Sequence, residues 1–157
     1  DCEGEWDSMP GYRGHLLGGL ALSGGALFGA VSFKLIPFEP KTLLALLCIA
    51  LLASLFPDVD TDSKGQNLFY GLLAGLDLGL MIKGLYKWAA ILGFCAMLPA
   101  LGHHRGWTHT WWAMLLVPSV ILVLPMIFYS ISIEKLLPFY LAAVIGYFSH
   151  LLLDRKF

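Results

Sequence analysis

The chain has 157 residues, of which 58% are hydrophobic and 13% are charged, and its formal net charge at pH 7 is −1. A soluble domain would be about half apolar and about a quarter charged, so this composition excludes an ordinary soluble domain. The near-neutral charge excludes a basic nucleic-acid-binding surface, and the three cysteines lack the paired spacing of a disulfide framework. The composition therefore predicts an all-α, polytopic membrane protein that binds no nucleic acid.

Residues 1–8 are acidic and precede Met9, and we interpret them as a tag or processing remnant. We expect residues 9–157 to form a single transmembrane helical domain, because this length suits one folding unit. The first apolar run extends from Leu16 to Ile36, which is enough for the ~20 residues that a helix needs to span a bilayer. Its five glycines would allow other helices to approach closely.

The second apolar run, Thr42 to Phe56, is short for a complete crossing and is followed by Pro57 and Asp58. We therefore expect a tilted or incomplete span whose end lies below the membrane surface. Two further apolar runs follow at 68–82 and 88–101. Lysine and tyrosine residues between these two runs are typical of a membrane interface.

The fifth apolar run, Trp107 to Ile131, opens with several tryptophans, and Pro118 and Pro125 predict kinks in it. The sixth run is Leu136 to Leu153. If all of these runs cross the membrane, every motif that contains histidine or paired aspartate falls on the same membrane face. Five lysines or arginines lie near each face, so the positive-inside rule does not orient the protein.

The stretch from Gly102 to Thr110 contains three of the five histidines and an arginine. Histidine is a common ligand of transition metals, and ionisable groups are costly to place at a membrane boundary. His104 and His109 would converge on one ion if the next helix began between them. Arg105 would then direct its planar guanidinium at an anionic oxygen, and Thr108 would cap the helix or orient a ligand. The alternative is a set of interfacial histidines beside a snorkelling arginine.

Three further motifs carry candidate ligands. Asp58 and Asp60 could bind two metals, or one metal and an orienting group, but in isolation they also fit an exposed loop with helix caps. His150 and Asp154 have the i, i+4 spacing of one helix face, where they could bind a metal or simply hydrogen-bond to each other. His15 alone would be interpreted as an ordinary interfacial histidine.

Together these motifs predict a mixed histidine and aspartate metal site. Such ligands favour zinc, manganese or iron over calcium or magnesium, which prefer oxygen ligands. A site of this kind could hold one or two ions, and two ions can stabilise the attacking and leaving oxygens of a phosphoester displacement. A metal-bound water whose pKa falls toward ~7 would be the nucleophile.

In combination, the motifs resemble the YdjM-like family of inner-membrane proteins, which are classed as metal-dependent hydrolases. The resemblance is carried by Pro57-Asp58-Val59-Asp60, by His104-Arg105-Gly106-Trp107-Thr108-His109-Thr110 and by His150-Leu151-Leu152-Leu153-Asp154, with His15 preceding them. The family often has serine where this chain has Thr110. The resemblance implies an integral protein of a prokaryotic inner membrane whose metal ligands are His15, Asp58, Asp60, His104, His109, His150 and Asp154.

A more distant likeness to zinc-dependent phospholipase C enzymes favours a phosphoester in a lipid or lipid-linked substrate. We take Asp60, Arg105 and Thr108 as the catalytic candidates of such a hydrolase. One alternative is a non-catalytic membrane protein that carries, senses or stores a transition metal through the same ligands. Another is a structural or regulatory membrane subunit that binds no metal. An open coordination position beside Arg105 would distinguish the hydrolase from a metal carrier.

Overall fold

The computed structural model describes residues 12–60, 64–101 and 107–154. Within these ranges the chain forms six α-helices and one 3₁₀ helix, which spans Phe56–Asp60. The interpretation of residues 1–8 as a tag or remnant lies outside the described residues. The α-helices are α1 (Tyr12–Ser32), α2 (Pro40–Leu55), α3 (Lys64–Ile82), α4 (Tyr86–Leu101), α5 (Trp111–Tyr129) and α6 (Ile133–Leu153).

Four segments are long and apolar enough to cross a membrane, and they include α1, α2, α5 and α6. Helices α3 and α4 contribute two shorter apolar stretches, at 66–82 and 86–97. The prediction of an all-α, polytopic membrane protein with about five or six apolar segments is confirmed. Its helices also end in a cluster of metal-capable side chains at one end of the bundle.

The second apolar segment is longer than the sequence predicts, so its length no longer favours an incomplete crossing over a complete or tilted one. The helix begins at Pro40, which is tolerated at the first helical position because the amide there needs no intrahelical acceptor. After Leu55 the chain tightens into the 3₁₀ helix and does not leave the bundle. The resulting apolar segment, Pro40–Val59, has 20 residues, which is enough for a full span.

The central packing unit consists of α1, α2 and α6. Gly146 of α6 lies against the backbone of Ala50 in α2, and an added methyl group there would lie 2.6 Å from the Ala50 carbonyl carbon. Leu46, Ala50 and Ala142 form a buried cluster around this contact. Since no side chain separates the two helices at Gly146, they approach as closely as their backbones allow.

Helices α3 and α4 pair with each other and join the bundle through a second apolar cluster. This cluster contains Leu55 and Val59 from the second span together with Phe69 and Leu73 from α3. At the other end of the pair, Trp88 of α4 stacks on Tyr129 at the end of α5, with ring centroids 4.4 Å apart. The turn between α3 and α4 therefore lies near the C-terminal end of α5.

The start of α5 also differs from the sequence prediction. Thr110 is its N-cap, with an extended backbone and a hydroxyl that accepts a hydrogen bond from the amide of Ala113 at 3.4 Å. The helix therefore begins at Trp111, after both His104 and His109. The condition under which His104 and His109 would converge is therefore not met, and of the two roles considered for Thr108 the helix cap falls to Thr110 instead.

Candidate metal centre

Five of the predicted ligands meet where four chain segments end together. His15 lies in the first turn of α1, Asp58 in the 3₁₀ helix, His109 just before α5, and His150 and Asp154 at the end of α6. Asp154 links three of the histidines: its carboxylate oxygens lie 3.3 Å from His15 Nε2, 3.7 Å from His109 Nδ1 and 3.3 Å from His150 Nε2. Asp58 lies 3.5 Å from His150 Nε2.

His150 is the most enclosed of these side chains and is completely buried. Its Nδ1 lies 2.8 Å from the backbone carbonyl oxygen of Ser54, near the end of α2. A carbonyl can only accept, so this contact places a proton on Nδ1 and leaves Nε2 facing the carboxylates, where it can carry a second proton or, once deprotonated, bind a metal. Orientation of a ligand histidine through its other nitrogen is the usual arrangement in metal sites.

Two buried nitrogens in the cluster are suited to bind a cation. His150 Nε2 and His15 Nδ1 are both buried, and neither forms a hydrogen bond of acceptable geometry within the described part of the chain. A buried polar atom without a partner costs about 1–3 kcal/mol, so such atoms are rare unless a ligand completes them. The two imidazole rings stack with centroids 3.9 Å apart, which places the two histidines side by side in the cluster.

The donor atoms form two groups that share one residue. His15, Asp58 and His150 make one group, and His109, His150 and Asp154 make the other, with the donor atoms of each group within 4.8 Å of one another. Because His150 Nδ1 is bound to the Ser54 carbonyl, only Nε2 is available to either group. One nitrogen lone pair binds one ion, so the described residues provide one ion position that uses His150.

Comparison with known proteins places this geometry in a family. The family model described as YdjM inner membrane protein matches residues 9–155. The chain belongs to the YdjM inner membrane protein family. The family predicted from the motifs is thereby confirmed, while its hydrolase activity stays a prediction for this chain. Together with the apolar helices, the membership makes the protein an integral inner membrane protein. The comparisons with curated proteins and with solved structures found no similar chain.

In this YdjM-family chain, Asp154 lies just beyond the last membrane-spanning residue and keeps an ionised carboxylate. Burial raises the pKa of the Asp154 carboxyl, but the surrounding histidines, first His150 and then His15 and His109, outweigh that effect. The net pKa lies below the ordinary value. A deprotonated carboxylate is the form that binds a metal, so the electrostatics suit the predicted role.

The remaining predicted residues of the YdjM-family motif are only partly described. Asp60 is the last residue of the 3₁₀ helix, and its side chain lies outside the described part of the structure, as do His104 and Arg105. Thr108 is completely buried, and its hydroxyl donates to the backbone carbonyl of Pro57 at 3.3 Å. The catalytic roles assigned to Asp60, Arg105 and Thr108 remain predictions.

Two contributors to the centre are not identified by the sequence analysis. The Ser54 contact uses a backbone carbonyl, which gives no signal in the sequence. Tyr147 is completely buried, and its hydroxyl donates to the backbone carbonyl of Thr108. Its position three residues before His150 places it on the same face of α6, and a hydroxyl on that face of an apolar helix is the signal that could have identified it.

Proposed function

We propose that this protein is a membrane-embedded, metal-dependent hydrolase that cleaves a phosphoester in a lipid or lipid-linked substrate. The observation that carries the proposal is the convergence of three histidines and two aspartates, from four chain segments, at one end of an apolar bundle. Ionisable groups at such a position are costly and are retained chiefly where they act on an ion or a substrate. Membership of an inner membrane protein family agrees with a site at the end of a membrane-spanning helix bundle.

The donor set favours zinc, manganese or iron as the bound ion. Imidazole nitrogens together with carboxylates suit these transition metals better than calcium or magnesium. When bound, such an ion would supply the Lewis acidity that polarises a phosphoryl oxygen. The chain itself fixes the ligands: the Ser54 carbonyl orients His150, and Asp154 holds His15 and His109 at hydrogen-bonding or ion-pair distance.

A lipid substrate is favoured by what surrounds the ligands. Leu17, Trp111 and Leu152, each within two residues of a candidate ligand, are all exposed on the outside of the bundle. Exposed apolar side chains beside a polar cluster suit a molecule with an acyl chain and a polar head group. The phosphoester assignment rests on Arg105, whose guanidinium would bind an anionic oxygen, and on the motif's likeness to phospholipase C.

The test combines metal content with phosphate release by the detergent-purified protein. Asp58→Ala removes a carboxylate 3.5 Å from His150 Nε2 and should lower the metal content to a small fraction of the wild-type value and abolish phosphate release. Asp77→Ala is the matched control, because it removes a carboxylate from the middle of α3 that belongs to neither donor group. Phospholipids and polyprenyl phosphates are the substrates to assay first.

The outcomes separate the hydrolase from its alternatives. Loss of metal and of phosphate release in Asp58→Ala, with both retained in Asp77→Ala, would support the proposal. Stoichiometric metal without hydrolysis of any lipid phosphoester would overturn the catalytic assignment in favour of a metal carrier, sensor or store. A wild-type protein that binds none of zinc, manganese and iron would overturn both.

A further inference from the structure

His109 lies in a short irregular segment, residues 107–110, between the end of α4 and the start of α5. Such a segment has no helical hydrogen bonds to fix the position of its side chains. His109 nevertheless lies 3.7 Å from Asp154 and has its ring centroid 5.3 Å from that of His150. A turn within the segment, closed by Thr110 donating to the Trp107 carbonyl, and contacts from outside the segment together hold the backbone beside His109 in place.

Tyr147 provides the first of these contacts. Its hydroxyl donates to the carbonyl of Thr108, the residue directly before His109, and both Tyr147 and Thr108 are completely buried. Tyr147 shares a face of α6 with His150 and Asp154, because the three residues are spaced i, i+3 and i+7. The helix that presents two candidate ligands therefore also holds the segment that presents a third.

Thr108 extends the same chain of hydrogen bonds to a further segment. Its hydroxyl donates to the carbonyl of Pro57 at 3.3 Å, and Pro57 directly precedes Asp58. The bonds thus run from Tyr147 to Thr108 and from Thr108 to Pro57, and each residue in the series lies within three positions of a candidate ligand. All three of these residues are buried, so water does not compete for the bonds.

We infer that Tyr147 is a positioning residue for the metal centre, whose hydroxyl sets the distance between His109 and the ligands on α6. The effect on metal affinity rests on the proposed function, whereas the effect on the 107–110 segment does not. An alternative role for Tyr147 is apolar packing alone, since its ring lies 5.9 Å from that of Phe56 and it clusters with Ala113 and Leu151. Phenylalanine at this position would keep that packing and remove only the hydroxyl.

The two roles are separated by Tyr147→Phe, with Tyr140→Phe as the matched control. Tyr140 lies on the same helix, and its hydroxyl also donates to a backbone carbonyl, that of Leu115 at 3.4 Å, but at an exposed position away from the ligands. We expect Tyr147→Phe to weaken zinc binding by about 10- to 100-fold, as loss of a hydrogen-bonding partner outside the ligand shell typically does. Tyr140→Phe should bind zinc within about 2-fold of wild type.

Hydrogen exchange of the metal-free protein gives a second readout. Amides of residues 109–112 should exchange at least about 10-fold faster in Tyr147→Phe than in wild type or Tyr140→Phe, because the segment loses its buried anchor. If the wild-type protein binds no metal, the proposed function fails, and amide hydrogen exchange alone tests whether Tyr147 positions the 107–110 segment. Unchanged exchange in Tyr147→Phe, or zinc binding equal to that of Tyr140→Phe, would overturn the positioning role.

Substitutions of Thr108 keep the inference testable if Tyr147→Phe does not fold. Thr108→Val replaces the hydroxyl by a methyl group of similar size and removes the bond to Pro57, whereas Thr108→Ser keeps the donor. We expect faster exchange in Thr108→Val and near-wild-type exchange in Thr108→Ser. Equal exchange in the two variants would contradict the hydrogen-bonded series.

Discussion

The side chain of His150 is the point at which the two donor groups meet. Both groups require its Nε2, because Nδ1 is bound to the Ser54 carbonyl at 2.8 Å. His15 belongs only to the first group, and His109 belongs only to the second. A single substitution at His150 therefore removes a ligand from both groups at once, whereas a substitution at His15 or His109 leaves one group intact.

Because the two donor groups share His150, the three histidine variants should differ in zinc affinity in a defined order. His150→Ala should lower zinc affinity by more than either His15→Ala or His109→Ala, which we expect to differ from each other by less than 10-fold. Competition titration with a chelator of known affinity measures all three on one scale. A His150→Ala protein that binds zinc more tightly than either other variant would contradict the shared nitrogen.

At this scale the sequence identifies candidate ligands that the structure brings together, but not the groups that hold them in place. Spacing alone identifies His150 and Asp154 as one helix face, and the two side chains lie 3.3 Å apart in the structure. The Ser54 carbonyl could not be predicted, since every residue has a carbonyl and only the end of a helix exposes one. Tyr147 could not be assigned either, because its acceptor is a backbone atom in a segment distant in sequence.

At the scale of elements, the contact between α2 and α6 controls the geometry of the centre. Gly146 and Ala50 lie one helical turn before His150 and Ser54, which form the hydrogen bond that orients the imidazole. A methyl group at 146 would meet the carbonyl oxygen, the carbonyl carbon and the Cα of Ala50, all of them backbone atoms that cannot rotate away. The two helices would have to separate.

Gly146→Ala is therefore expected to lower the free energy of unfolding by about 1–3 kcal/mol, which is typical of overpacking. It should also weaken metal binding, because the same separation moves His150 away from Ser54. Thermal unfolding in detergent and zinc titration measure the two effects. Gly25→Ala on α1 is the control: nothing lies within 4 Å of the added methyl group, so it should lower neither stability nor metal binding, and alanine's helix propensity would if anything raise the stability. Equal stability of the two variants would argue against close backbone packing at Gly146.

The helices themselves were largely predictable, since each apolar run corresponds to a helix and most boundaries shift by only a few residues. The exceptions have local causes. Pro40 starts α2 earlier than the apolar residues suggest, and the 3₁₀ helix carries the chain beyond Phe56. Helix α5 begins later than its apolar run because the Thr110 hydroxyl caps it. Such effects depend on backbone hydrogen bonds, which hydrophobic periodicity does not report.

At the scale of the whole molecule, the helix bundle has two opposite ends. The candidate ligands define one end, and the stacking of Trp88 on Tyr129 places the turn between α3 and α4 near the other end of α5. We therefore predict that α3 and α4 extend through the bilayer as a pair, although each is shorter than the four longest apolar segments.

Single cysteines in a background without the native cysteines test this arrangement. Lys83→Cys should react with a membrane-impermeant maleimide from the same side as Phe38→Cys and Ser130→Cys, and from the side opposite Asn67→Cys. All four positions are exposed in the structure. Labelling of Lys83→Cys from the side of Asn67→Cys would show that α3 and α4 enter and leave the membrane at one face.

The pairing of His15 with Asp154 has a consequence for how the protein is made. His15 lies in α1 and Asp154 directly follows α6, and their side chains lie 3.3 Å apart. A ribosome-bound chain exposes the early histidine long before the late carboxylate has been synthesised. The first donor group also needs His150, so neither group exists until α6 has been inserted beside α1 and α2. A metal at the proposed site could therefore be bound only after α6 has been inserted, and at no earlier step of translation.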